Sequence, residues 1–146
     1  MQISPARRAA FEILRRVEEE GAYSSALLAR PDNNLNDKDR ALSHELVLGV
    51  LRRRLWLDRA LEHFAARKVG SLDLPVTLAL RLGLYQLRFL SRIPASAAIN
   101  ESVNLVKAAR LKSAATPLVM SFNGEQRSEL RTLAHLVGLG SLVAQF

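Results

Sequence analysis

The segment from Pro75 to Arg110, PVTLALRLGLYQLRFLSRIPASAAINESVNLVKAAR, constrains the fold more than any other part of the chain. Val76, Leu80, Leu84 and Leu87 recur one helical turn apart and make an apolar stripe. Ser91-Arg92-Ile93-Pro94 interrupts the period. Ile99, Val103 and Val106 resume it, with Asn100, Asn104 and Lys107 set toward solvent. Two helices joined by a short turn follow from this spacing, because a strand would throw alternate residues to opposite faces. Arg81, Tyr85, Arg88 and Arg92 recur at the same spacing on another face of the first helix. The hairpin is therefore expected to present a buried spine and a basic face carrying an aromatic.

The rest of the chain reads in the same helical period. Ser4-Pro5 is a helix start, with Ser placed to cap a free backbone N–H and Pro suited to the first helical position. Ala6, Ala10, Ile13, Leu14 and Val17 then form a stripe down to about Glu20, where Gly21 supplies a left-handed stop. Arg7, Arg8, Arg15 and Arg16 lie off that stripe, and Arg7 and Arg8 are left poorly neutralised in its first turn. Tyr23 to Ala29 reads as a short helix. Asn36 or Asp37 caps the next, which runs to about Arg54 with Leu42, Leu46, Val50 and Leu51 inward. Gly49 inside that helix costs about 1 kcal/mol against Ala and predicts a close helix–helix approach. Trp56 to Lys68 is amphipathic, with Leu57, Leu61, Phe64 and Ala65 spaced for burial, and Ser71 or Asp73 caps the first helix of the hairpin. Asn123-Gly124 reads as a turn and Glu125 to Val137 as a last helix. No alternating β-branched run occurs, so the expected fold is all-α: a single domain over residues 1–146, a compact bundle of roughly six or seven helices.

Charge narrows the function. Residues 51–112 hold 12 Lys/Arg against 4 Asp/Glu, while residues 1–50 hold 7 against 8 and residues 113–146 hold 2 against 2. The whole excess of positive charge is central, which points to an anionic partner, nucleic acid first. There is no cysteine, hence no disulfide, thiolate metal site or thiol nucleophile. No apolar run reaches the roughly 20 residues of a membrane span, and Met1 to Pro5 lacks a signal-peptide layout, so a cytoplasmic protein is expected. His44-Glu45 is not followed by a second His one turn on, and no Gly-rich loop follows a strand. The chain is expected to be no enzyme, with no cofactor and no metal.

Recognition remains. Arg52-Arg53-Arg54 is the densest basic run; it reads either as a phosphate-binding patch or as cations at a helix C-terminus, where they meet the exposed carbonyls. RNA-binding surfaces combine cations for phosphates with aromatics that stack on bases. The candidate contacts are Arg7, Arg8, Arg52, Arg53, Arg54, Arg81, Tyr85, Arg88, Arg92 and Lys107. For Tyr85 two readings stay open: a ring stacked on a base, or a buried ring with its hydroxyl at the edge.

These residues resemble the NusB family. The blocks are Leu82-Gly83-Leu84-Tyr85-Gln86-Leu87, Ile93-Pro94 and Ala98-Ile99-Asn100-Glu101-Ser102-Val103 through Val106-Lys107, after the opening Pro5-Ala6-Arg7-Arg8-Ala9. The middle stretch from Asp39 to Arg52, followed by Leu57-Asp58, is similar to one branch, the N-terminal domain of the bacterial rRNA cytosine carbon-5 methyltransferases. The resemblance covers about residues 4 to 115. It implies an all-helical RNA-binding fold, and it places Arg7 and Arg8 in the family's Arg-rich RNA-binding turn. It implies as partners rRNA or a boxA-like RNA, with a ribosomal protein beside the latter; some members dimerise, which leaves a homodimer open. Two departures stand out. The chain lacks the S-adenosylmethionine site and catalytic cysteines of the methyltransferases, and Thr116-Pro117 interrupts where the family's closing helix runs, so residues 116–146 are divergent. Three readings follow: a non-catalytic rRNA-engaging domain of the methyltransferase type, a free-standing antitermination factor, or a helical protein-docking module without direct RNA binding.

Overall fold

The structure is a computed structural model that describes residues 2–30, 32–65 and 68–113, with the side chains of residues 64, 65 and 110–113 left aside. It is all-helical: α1 (Pro5–Glu20), α2 (Ser24–Leu28), α3 (Asp37–Arg52), α4 (Arg54–Ala65), a 3-10 turn at Val69–Ser71, α5 (Leu74–Phe89) and α6 (Ala95–Ser113). No strand occurs among the described residues. The burial expected of Phe64 and Ala65, the Asn123-Gly124 turn, the helix from Glu125 to Val137 and the divergence of residues 116–146 lie outside the described residues.

Local signals set most boundaries. Gly21 ends α1 at φ 63°, ψ 25°, a conformation that costs glycine little and a β-carbon much. Asn36 caps α3, its Oδ1 accepting from the Asp39 N–H at 2.8 Å. Ser4 does not cap α1 with its side chain. Its hydroxyl instead donates sideways to Glu101 Oε2 at 2.9 Å and accepts from Arg7 at 3.0 Å, because a helix packed across the bundle offers a charged acceptor. The expected single helix through Arg54 is also corrected. Arg53 leaves helical geometry at φ −108°, ψ 14°, so the Arg52-Arg53-Arg54 run bends round an elbow between α3 and α4.

α5 is the axis of the bundle, packed by α1, α3, α4 and α6. Every residue from Val76 to Gln86 is buried, including Thr77, Arg81, Tyr85 and Gln86. A helix with neighbours on all sides has no solvent face for its central turns. The expected basic face of this helix is thereby corrected: Arg81 is 4% and Tyr85 5% exposed, and only Arg88 and Arg92, at and beyond the helix end, reach water. The apolar core around it draws Phe11 and Leu14 from α1, Leu46, Val47 and Val50 from α3, Leu57 and Leu61 from α4, and Leu105 and Val106 from α6.

Two glycines let helices close on α5. A β-carbon on Gly49 would lie 2.0 Å from Cζ and 2.2 Å from the hydroxyl of Tyr85, so α3 gives up a side chain where the Tyr85 ring lies against it. On α5 itself, a β-carbon at Gly83 would come within 2.8 Å of the Ser102 hydroxyl of α6. The close approach expected at Gly49 is thus made by an aromatic ring. Gly49→Ala is expected to lower stability by about 1–3 kcal/mol through overpacking. The loss should shrink in the double variant with Tyr85→Leu, measured as non-additive denaturant midpoints; additive losses would show that the ring is not what Gly49 accommodates.

Candidate nucleic-acid interface

Burying α5 takes charged side chains out of water, and each finds a partner. Among the described residues no buried side-chain nitrogen or oxygen lacks a hydrogen bond. Arg81 grips Asp58 of α4 through two bonds, Nε to Oδ1 at 2.7 Å and Nη2 to Oδ2 at 2.9 Å, and reaches Glu18 of α1 at 3.2 Å. Arg7, also buried, donates from Nε to Gln86 Oε1 at 2.6 Å and pairs with Glu101 of α6 at 2.8 Å. The Tyr85 hydroxyl donates to Glu45 Oε1 at 2.7 Å. Burial first, and then that bond to a carboxylate, push the Tyr85 pKa up to about 12 despite the opposing pull of Arg53 and Arg52.

These bonds sort the expected contacts. Arg7 and Arg81 are held inside the bundle by carboxylates, and the Tyr85 ring lies in the core, the second of its two open readings. Arg54 is tied to Glu18 at 2.9 Å. Lys107 is half-buried and has a partner. Arg8 is exposed and has no ion-pair partner among the described residues, but it sits ten residues from Glu18, about 15 Å along α1. Arg52, Arg53, Arg88 and Arg92 are exposed, and none has a carboxylate partner among the described residues.

Phe89, at the C-terminal end of α5, joins that helix end to the elbow. The Arg53 guanidinium carbon lies 4.2 Å from the Phe89 ring centre, within cation–π range. Trp56 meets the same ring at 5.3 Å and 71°, and Tyr85 meets it from the core side at 5.3 Å and 32°. Trp56 stays 43% exposed and its neighbour Leu55 78%. The elbow therefore presents guanidinium groups free for an anion beside an indole free for a planar group. Phosphate and base are the pair of ligand chemistries that such a surface suits. Leu55, Trp56 and Phe89 were absent from the sequence-derived contacts. The signal available was that Trp56 falls one residue outside the Leu57–Leu61 stripe, directly after the arginine run.

Among the described residues no group of three His, Asp or Glu side chains is placed to hold a metal. No helix there is long and apolar enough to cross a membrane.

The model of the NusB family matches residues 4–116. The chain is 37% identical over 126 residues to the probable ribosomal RNA small subunit methyltransferase B of Synechocystis sp., an alignment that covers 85% of this chain and 28% of that protein. The chain thus spans little more than a quarter of that relative's length. Among solved structures, T. maritima NusB superposes with a TM-score of 0.72 at 16% identity, covering 99% of this chain and 100% of the other. NusB from a structure of antitermination factors NusB and NusE in complex with dsRNA gives 0.71 at 21% identity over 91% and 93% of the two chains.

Two outcomes are expected from the bonds above. Arg81→Ala leaves Asp58 and Glu18 without their buried partner and should cost about 3–5 kcal/mol, whereas Arg88→Ala should leave the thermal midpoint unchanged; equal midpoints would contradict the burial. Because the raised Tyr85 pKa favours the folded state only while the phenol is protonated, its contribution to stability should be constant below pH 10 and fall as pH rises toward about 12. Tyr85→Phe should remove that alkaline dependence in urea titrations.

Proposed function

The chain belongs to the NusB family, and from that premise we propose that it is a non-catalytic RNA-binding domain, the rRNA-engaging part of a methyltransferase-type protein. The observation that carries this reading is the elbow with the neighbouring end of α5, where Arg52, Arg53, Arg88 and Arg92 are exposed without a carboxylate partner among the described residues and Trp56 is exposed as well. Charge free of internal partners is what a phosphate backbone needs. The methyltransferase type is favoured because identity is 37% to the methyltransferase relative and 16–21% to the NusB structures. In such a protein this stretch engages RNA, and methyl transfer belongs to other parts of the chain.

A free-standing antitermination factor is the second reading. Its support is that the solved NusB chains align over more than nine-tenths of their length, one of them in an assembly with NusE and dsRNA. The two readings share the surface and differ in the RNA and the protein partner.

Binding to labelled RNAs across a salt series separates them. An rRNA hairpin with an unpaired loop should bind more tightly than a boxA-like strand if the first reading holds, and the order should reverse for the second. Replacing Arg52, Arg88 and Arg92 by Ala together should weaken all RNAs alike and make the slope of log affinity against log salt shallower by about 2 on single strands. No binding to either RNA at low salt would overturn both readings and leave the protein-docking module.

A further inference from the structure

We propose that the indole of Trp56 is a stacking platform for an unpaired base, so that the elbow takes single-stranded RNA in preference to duplex. This inference rests on the RNA reading above and adds to it a site and a class of ligand.

Three observations carry it. First, Trp56 is held outward by the helix register. Leu57, the next residue, is completely buried and Leu61 nearly so; turning Trp56 inward would expel them. Second, the ring packs against Phe89. Phe89 meets it edge-on at 5.3 Å, and Phe89 is itself braced by Tyr85 from the core. A rigid aromatic loses little entropy when a second ring lies on it. Third, the arginines of the elbow and of the end of α5, Arg54 excepted, have no carboxylate partner among the described residues. The Arg53 guanidinium carbon lies 4.2 Å over the Phe89 ring, Arg52 and Arg88 stand in the last turns of α3 and α5, and Arg92 follows α5. Stacked base and neighbouring phosphates are thus met by different side chains of one surface. Bases inside a duplex cannot reach an indole on a protein surface, so the ligand is a single strand or a flipped-out nucleotide. An acidic peptide such as polyglutamate would suit the cations but carries no ring for the exposed indole.

Trp56 is the only tryptophan in the chain, so its fluorescence reports this site alone. A short oligouridylate and a blunt RNA duplex of equal charge are titrated, and binding is followed independently by the anisotropy of a labelled strand. The single strand is expected to quench the indole saturably, at the concentration where anisotropy rises, and the duplex to bind without quenching. Trp56→Leu, which keeps an apolar side chain, should weaken single-strand binding about 5- to 150-fold and leave duplex binding unchanged; Trp56→Phe should restore most of the loss. Single-strand binding seen by anisotropy with no quenching, and undiminished in Trp56→Leu, would overturn the platform and leave the RNA reading standing. Quenching by polyglutamate but not by RNA would overturn it in favour of protein docking. Failure of both RNAs to bind by anisotropy would overturn the platform together with the RNA reading.

Discussion

The guanidinium of Arg81 is the point on which the bundle's geometry turns. It lies inside a helix that is apolar almost all round, where an unpaired charge would cost several kcal/mol. Its two bonds to Asp58 fix α4 against α5, and its third, to Glu18, fixes α1. Arg7 does the same at the other end of α1, joining Gln86 of α5 to Glu101 of α6. Directional polar pairs of this kind set which helices meet and in what register, while the leucines and valines between them supply the burial that drives association.

The candidate interface follows from the same accounting of charge. Glu18, Asp58 and Glu101 neutralise the inner arginines, and Glu45 is engaged by Tyr85. The carboxylates near the axis are therefore committed. Arg52, Arg53, Arg88 and Arg92, near the ends of α3 and α5, have no carboxylate partner among the described residues. Phe89 then ties the end of α5 to the elbow, with Arg53 over its ring and Trp56 in T-shaped contact with it. Arg52 and Arg88 stand in the last turns of α3 and α5, where exposed carbonyls favour positive charge.

Helical period was legible because it depends only on spacing: α1, α3, α5 and α6 appear close to where their apolar residues recur, and Gly21 and Asn36 bound them for local reasons. The site was legible in part. The arginine run marked the elbow, and Arg88 and Arg92 fall on the exposed end of the stripe that named them. Arg81 and Tyr85 share that stripe's spacing and lie inside. Period places residues on one face, but it does not say whether another helix covers that face. Arg7 illustrates the same gap, since its neutralising carboxylate, Glu101, lies far along the chain.

The sequence by itself determined an all-helical fold, the cap at Asn36, the stop at Gly21, and a central surplus of positive charge beside a single tryptophan, since each depends on neighbouring residues. Only the tertiary structure decided which arginines are structural and which are free, that Gly49 exists for the Tyr85 ring, and that the arginine run turns a corner at Phe89. Those outcomes are set by contacts between helices distant in sequence, where one carboxylate or one missing β-carbon determines whether a side chain is buried or offered to a ligand.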